Sequence, residues 1–158
     1  MALRKPLVFN GGIQQLQSGD TLDAARSDSS GLIQTNDNVG AMIAGQVVYN
    51  DANDGVKSAK ADASATKDVV GLMLDTPAAA GTGFVAMSGP VTLTTAQWDA
   101  VFGTSGGLTK GTRYYLSATS AGQGQAGAPT TVGQYVVELG IAISTTELML
   151  AIRSPILL

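Results

Sequence analysis

The side chains that could do chemistry in this chain are mostly carboxylates and hydroxyls, because its 158 residues include no histidine and no cysteine. The chain therefore cannot form a Ser-His-Asp triad, a Cys-His pair or a zinc site with soft ligands. Its only glutamates, Glu138 and Glu147, could act as paired carboxylates in glycoside cleavage. Both lie in or beside predicted strands of one hairpin, where a charged side chain normally faces solvent. We expect no catalytic residue and no enzyme activity.

Two turn-forming stretches superficially resemble ligand-binding motifs. Residues 103–112 are rich in glycine and contain Lys110, but they lack the Gly-Lys-Thr/Ser order of a phosphate loop and follow a predicted helix instead of a strand. Residues 51–55 read Asp-Ala-Asn-Asp-Gly but lack the closing glutamate of an EF-hand loop. We therefore reject a phosphate loop at 103–112, and a hairpin turn explains residues 51–55 better than a calcium site. We expect neither a metal nor a cofactor.

The charge content is low: 13% of the residues are charged, about half the usual share, and the net charge is −3. The largest basic cluster is the pair Arg4-Lys5, which predicts no binding to nucleic acid. Apolar runs are too short for a membrane span, and the stretch after Pro6 is too short for a signal peptide, so we expect synthesis in the cytoplasm. A soluble monomer normally carries more charge, so the low charge content favours a surface that is covered by partner proteins. The alternative is a neutral polar surface that stays exposed to solvent.

From about residue 39 to the end, short β-forming runs alternate with glycine-rich turns. About eight strands at intervals near ten residues predict an all-β fold, a compact β-sandwich or small barrel, over residues 39–158. Residues 69–74 are almost entirely apolar, which predicts a central strand buried on both faces. The predicted strands are 41–49, 56–61, 69–74, 83–88 continued by 90–93, 112–117, 135–143 with a break at Gly140, and 147–152; residues 118–128 are predicted to be an exposed loop.

One short helix is predicted at about 95–102. Thr94 or Thr95 can cap it and Gly103 can end it. Trp98, Val101 and Phe102 follow the i, i+3, i+4 spacing of one apolar face. We expect Trp98, the only tryptophan, to fill the core beneath the helix; the alternative is that its ring stacks on a ligand.

The two chain ends differ from the rest. Residues 1–38 contain one apolar patch, residues 7–9, and no periodic apolar face. This predicts an extended N-terminal arm that orders on a partner; the alternative is a strand pair packed on the same domain. At the other end, Ile156, Leu157 and Leu158 follow Pro155. This apolar tail is expected either to tuck into the core or to be buried in a neighbouring molecule.

Several segments together resemble small structural proteins of tailed-bacteriophage virions. Residues 5–22 look like the arm of such proteins. The other segments are Val70-Gly71-Leu72 with the strand after it, residues 93–101, Gly106–Gly111 leading into Tyr114-Tyr115-Leu116, and residues 128–148. The last segment, Ala-Pro followed by Gly-Gln-Tyr-Val and Gly-Ile-Ala, is the most specific. The chain is thus similar to capsid decoration (cement) proteins, and the resemblance covers nearly its whole length.

The resemblance implies a structural role on the outer surface of the virion. The chain would bind the major capsid protein through its arm, with Leu7, Val8, Phe9, Ile13 and Leu16 as anchoring side chains, and would associate with itself as a homotrimer. One alternative is a tail or fibre-associated protein whose loops 78–83 and 118–128 face the host. A remote alternative is a carbohydrate-binding module, whose aromatic residues would be drawn from Tyr49, Trp98, Tyr114, Tyr115 and Tyr135.

Overall fold

The computed structural model describes residues 30–51 and 55–158, and these ranges contain eleven β-strands and one α-helix. About 40% of the structure is strand and 6% is helix, which confirms the all-β prediction. The strands are β1 (Ser30–Thr35), β2 (Val47–Asn50), β3 (Val56–Ser58), β4 (Val69–Met73), β5 (Thr82–Thr92), β6 (Arg113–Leu116), β7 (Gly124–Ala126), β8 (Tyr135–Val136), β9 (Glu138–Ala142), β10 (Glu147–Leu150) and β11 (Ile156–Leu157), and the helix is α1 (Thr95–Phe102).

Nine strands form one antiparallel sheet in the order β3-β2-β4-β5-β10-β9-β6-β7, with β1 added against β5. Strand β5 joins the two parts of this sheet. Its first part pairs with β1 and β4, and its last part pairs with β10. Gly89, with φ of 95°, allows the strand to bend before Pro90. The sheet therefore curls into a half-barrel.

The part of the sheet that contains β1 to β5 is nearly closed, because the end of β1 approaches β3. The backbone N–H of Asp37, just beyond β1, donates to the carbonyl of Val56 in β3 at 3.0 Å, and Asn36 forms a β-bridge with the same residue. A small core lies on this side of the sheet. It consists of Met42, Val48, Val56, Met73 and Val85, each at most 1% exposed.

The larger core lies under helix α1. Thr94 caps the helix in a capping box, because its hydroxyl accepts from the N–H of Gln97 while the Gln97 side chain accepts from the N–H of Thr94. Gly103 ends the helix in the left-handed conformation at φ 62°. Trp98 is fully buried, and its indole N–H donates to the carbonyl of Thr146 at 2.9 Å. The predicted helix and the predicted core position of Trp98 are both confirmed.

The predicted strands differ from the observed ones in several places. The strand predicted at 56–61 ends at Ser58, the one at 147–152 ends at Leu150, and β11 was not predicted. Residues 41–46 turn instead of extending: Gly45 has φ of 92° and its N–H donates to the carbonyl of Met73, so β2 begins only at Val47. The stretch 118–128 is not only a loop, since it contains β7, which pairs with β6. The long strand predicted at 135–143 divides at Val137 into β8 and β9, and Gly140 lies inside β9.

Residues 30–38, which the sequence assigned to the arm, form β1 and the turn after it. In β1, Ile33 pairs with Phe84 and Gln34 with Gly83. This part of the predicted arm therefore belongs to the sheet. Residues 1–29 lie outside the described ranges.

Asn36 links the turn after β1 to the loop before β5. Its side chain is fully buried, and its amide group donates to the carbonyls of Gly40, Pro77 and Ala78 at 2.9, 3.0 and 3.1 Å. The side-chain oxygen accepts from the N–H of Asn38. One buried amide thereby adds bonds to carbonyls of two separate segments, in addition to the N–H groups of Met42 and Gly81 that donate to Pro77 and Ala78.

Replacing Trp98 by alanine is expected to lower the free energy of unfolding by about 3–5 kcal/mol, because the cavity would open in the centre of the larger core. Unfolding should be followed by circular dichroism, since the variant has no tryptophan fluorescence. Trp98→Phe, which keeps a ring but loses the bond to Thr146, should cost less. A loss below about 1 kcal/mol for Trp98→Ala would contradict the core position.

Replacing Asn36 by alanine should cost about 1–3 kcal/mol, because the buried side-chain bonds to the carbonyls of Gly40, Pro77 and Ala78 are lost. Gln125→Ala removes one exposed bond to Gly127 and is the matched control. It should change stability by less than about 0.5 kcal/mol. Equal effects of the two substitutions in urea denaturation would show that Asn36 has no special structural role.

Candidate interaction surfaces

The C-terminal tail is bound to the body through its backbone and not through its side chains. Strand β11 pairs with β8, and beyond it the N–H of Leu158 donates to the carbonyl of Gln134 while the N–H of Gly133 donates to the carbonyl of Leu158, both at 3.0 Å. The side chains of Ile156, Leu157 and Leu158 are 64%, 61% and 39% exposed. The expectation that the tail tucks into the core is therefore not met, and burial in a neighbour stays a prediction.

Val132 extends this apolar surface. It is 86% exposed and directly precedes Gly133, whose N–H holds the end of the tail. We call Val132, Ile156, Leu157 and Leu158 the tail patch. All four side chains are large and apolar, and each is at least 39% exposed. Ile156 and Leu157 are consecutive residues of a strand, so they present apolar side chains on both faces of β11.

Strand β8 fixes the tail patch in place. On the side away from β11, the N–H of Tyr135 donates to the carbonyl of Ala61 at 2.8 Å. The ammonium group of Lys67 lies 5.5 Å from the centre of the Tyr135 ring, within the range of a cation–π contact. The tail is thus the outer strand of a pair that is itself tied to the body.

The residues predicted to anchor the arm cannot be compared with the structure. Leu7, Val8, Phe9, Ile13 and Leu16 all lie outside the described ranges. Their role stays a prediction from the resemblance.

The two glutamates considered for catalysis occupy different environments. Glu138, in β9, pairs with Arg113 at 2.5 Å and with Arg153 at 3.7 Å, and its backbone carbonyl accepts from the N–H of Arg153. These contacts join β6, β9 and the segment after β10. Glu147 begins β10, where it lies opposite Thr92. Glu138 therefore has a structural role in holding strands together.

The glycine-rich stretch after the helix is organised by an internal carboxylate. Asp99 accepts from the hydroxyl of Thr104 at 2.7 Å and from the N–H groups of Gly107 and Gly106 at 2.8 and 3.0 Å. The N–H groups that a phosphate would need are thus bonded to a side chain of the protein. The hydroxyl of Thr104, followed by the N–H of Gly107, holds the pKa of Asp99 below its ordinary value of 3.8.

The acidic turn at 51–55 is partly described. Asp51 forms an ion pair with Lys57 at 2.7 Å, and this hydrogen bond raises the pKa of Lys57. Acidic side chains within the described ranges do not form a group of three or more that could hold a metal ion. In those same ranges, no helix has both the length and the apolar character needed to cross a bilayer.

The aromatic side chains offer little surface for stacking a sugar. Trp98 and Tyr114 are fully buried, and Trp98 packs edge-on against Phe102 with ring centres 5.0 Å apart. The hydroxyl of Tyr114 accepts from the N–H of Thr109. Tyr49, Tyr115 and Tyr135 are half-buried. Among the described residues, no aromatic ring forms an exposed platform.

An open groove of about 420 Å³ lies where the start of β4 meets the middle of β5 and the segment after β10. Val69, Val70 and Met87 supply apolar lining, and Asp68 and Arg153 supply charge. Sequence reasoning did not find this groove, because its residues come from three separate segments.

No protein-family model matches the chain, and no curated protein matches it.

The lowered pKa of Asp99 predicts a pH-dependent contribution to stability. Because the pKa is lower in the folded than in the unfolded state, the carboxylate stabilises the fold above about pH 3.8, and this contribution is lost as pH falls through the folded-state pKa. Asp99→Asn should therefore lower the melting temperature at pH 7, and the difference from the natural chain should shrink toward pH 3.

Thr104→Val provides a second measurement, because it removes the largest cause of the shift. In this variant, NMR titration should find the pKa of Asp99 closer to its ordinary value. A melting-temperature difference for Asp99→Asn that is constant between pH 7 and pH 3 would contradict the assignment.

Proposed function

We propose that this chain is a structural component of a tailed-bacteriophage virion, a decoration protein that binds the major capsid protein lattice and stabilises the shell. It associates with itself, as a homotrimer, on the outer surface of the capsid. The N-terminal arm supplies one set of anchoring side chains, Leu7, Val8, Phe9, Ile13 and Leu16. The tail patch supplies another.

The tail patch is the observation that carries this proposal. Its backbone is held by β8, so its side chains are presented without first having to be ordered. Binding to a preorganised apolar surface loses less conformational entropy than binding to a mobile one. An uncharged apolar centre is also typical of the buried part of protein interfaces. The patch therefore suits a protein neighbour better than a small substrate.

The rest of the body suits a passive structural role. Most of the side chains first considered for chemistry are engaged in internal contacts: Glu138 with two arginines, Asp99 with the loop after the helix, and Asp51 with Lys57. A decoration protein needs rigidity and contact surface, and it gains strength from many copies. Modest contacts repeated over a closed shell give high avidity without a tight single site.

The tail or fibre alternative draws less support from the structure. Its proposed host-facing segment 118–128 is partly incorporated in the body, because Gly122 donates to the carbonyl of Ala59 and β7 pairs with β6. The carbohydrate-binding alternative is weaker still, since Trp98 and Tyr114 are buried.

The proposal predicts that purified virions of the phage that encodes this chain contain it in hundreds of copies, measured by quantitative mass spectrometry against the major capsid protein. The isolated chain should bind capsids that lack it. The double variant Ile156→Ser with Leu157→Ser should bind at least about tenfold more weakly, because two apolar side chains no longer become buried. Leu7→Ser with Phe9→Ser tests the arm in the same way.

Val39→Ser is the matched control, since Val39 is fully exposed in a loop outside the tail patch. It should bind like the natural chain. A few dozen copies per virion would favour the tail alternative. Absence from virions, or turnover of a substrate by the isolated chain, would contradict the proposal.

A further inference from the structure

The open groove at the start of β4 combines an apolar lining with two opposite charges. Its volume is about 420 Å³. The apolar lining consists of three half-buried side chains and one that is 41% exposed, which are Val69, Val70, Ile152 and Met87. The side chains of Asp68 and Arg153, which also line the groove, are 67% and 70% exposed.

Both charges of the groove are accessible to a further partner. The carboxylate of Asp68 accepts from the ammonium group of Lys67 at 2.7 and 2.8 Å, but the pair lies at the surface. The guanidinium group of Arg153 lies 3.7 Å from the carboxylate of Glu138, which is longer than a hydrogen bond. Exposed ion pairs of this kind are weak and are exchanged at little cost. The groove therefore suits an occupant that carries both a cation and an anion.

The N-terminal residues join the described part of the chain close to this groove. Ser30, the first residue of β1, pairs with Ser88 of β5, and Met87 directly precedes Ser88. The register shifts between Ser30 and Gly31, so regular pairing of β1 with β5 ends there. Cross-strand partners have Cα atoms about 4.5–5.5 Å apart, and consecutive Cα atoms are about 3.8 Å apart. The chain therefore enters β1 within about 10 Å of the Cα atom of Met87.

The residues just before β1 have a composition that complements the groove. Residues 22–29 read Leu-Asp-Ala-Ala-Arg-Ser-Asp-Ser, so they carry one large apolar side chain and charges of both signs. Arg26 is opposite in charge to Asp68, and Asp23 is opposite in charge to Arg153. An extended chain spans at most about 3.6 Å per residue, which allows Arg26 to lie up to about 14 Å from Ser30. That length is enough to bring its long side chain over the groove.

We propose that residues 22–29 of the same chain bind in this groove, with Arg26 paired with Asp68 and Asp23 paired with Arg153. Leu22 covers the apolar lining. The tether from Ser30 is only a few residues long, and a short tether gives an effective concentration in the millimolar range. Modest contacts are then enough to keep the segment bound.

This inference does not depend on the virion role. It concerns the part of the arm next to the body and leaves residues 7–16 to contact a neighbour. Binding of residues 22–29 would fix the point on the body from which those anchoring residues extend. The arm would then have a bound part and a projecting part, and only the projecting part would become ordered on a partner.

Limited digestion of the full-length chain with trypsin tests the proposal, because Arg26 is itself a cleavage site. Arg4, far from the segment, is the internal reference. A synthetic peptide of residues 1–30 gives the intrinsic ratio of cleavage after Arg26 to cleavage after Arg4. In the full-length chain this ratio, measured by mass spectrometry, should be at least about fivefold lower, since cleavage needs the unbound segment. A ratio equal to that of the peptide would overturn the proposal.

Two substitutions in the groove should release the segment. Asp68→Asn removes the partner of Arg26 and should raise cleavage after Arg26 about two- to fivefold. Asp62→Asn is its matched control, because Asp62 forms a comparable surface ion pair with Lys60 outside the groove. Met87→Ser removes apolar lining and should also raise the rate at least about twofold. Its control is Met149→Ser, since Met149 is 37% exposed and does not line the groove.

A disulfide tests the position of Arg26 directly, because the natural chain has no cysteine. The full-length variant Arg26→Cys with Asp68→Cys should close a disulfide within one chain, which runs as a monomer on a non-reducing gel. Arg26→Cys with Thr92→Cys is the control, since Thr92 is exposed and lies four residues beyond Ser88 on β5. In a glutathione buffer the first pair should have an effective concentration at least about tenfold higher than the second. A more favourable bond to Thr92→Cys would show that the segment follows β5 instead of the groove and would overturn the proposal.

Dilution separates the chain's own segment from that of another copy. The slow cleavage after Arg26 should be unchanged when the protein is diluted about a hundredfold, because segment and groove belong to one molecule. Protection that disappears on dilution would assign the groove to the arm of a second copy and overturn the proposal. Equal effects of the groove variants and their controls would do the same, since they would reflect general loosening of the fold.

Discussion

A single continuous strand, β5, pairs with strands of both parts of the sheet, and the rest of the structure depends on this connection. Its first part carries β1 and β4, and its last part carries β10. The bend at Gly89 turns the sheet direction without ending the strand. The small core and the core beneath the helix therefore lie on one curled sheet, and neither can move far without breaking hydrogen bonds of β5.

This rigidity determines how two strands with exposed apolar side chains are presented. Strand β1 is held by β5, and β11 is held by β8, which is bonded in turn to the carbonyl of Ala61. Both expose apolar side chains on a backbone that is already ordered. Association at either surface would therefore cost little chain entropy, and modest apolar contacts would suffice.

The features predicted correctly from the sequence are those with local causes. The helix was readable because Thr94 and Gly103 are its caps, and the core position of Trp98 followed from its spacing with Val101 and Phe102. The place of β1 in the sheet was not readable, because its partner β5 is distant in sequence and a strand exposed on both faces has no apolar alternation. For the same reason β7, a Gly-Gln-Ala segment, is defined only by its pairing with β6. The tail was recognised as apolar, but its outward-facing side chains follow from a pairing that no local pattern reveals.

The few charged residues of the described ranges are mostly paired with one another. Of the six lysine and arginine residues in the described ranges, five lie in ion pairs with acidic residues of the same chain: Lys57, Lys60, Lys67, Arg113 and Arg153. Pairs at or near the surface contribute little stability, but they cancel the field of the protein at short range. Little long-range attraction is then left to steer a charged partner. The exposed apolar side chains of β1 and of the tail patch carry no charge, so any contact that they make would depend on shape and apolar burial.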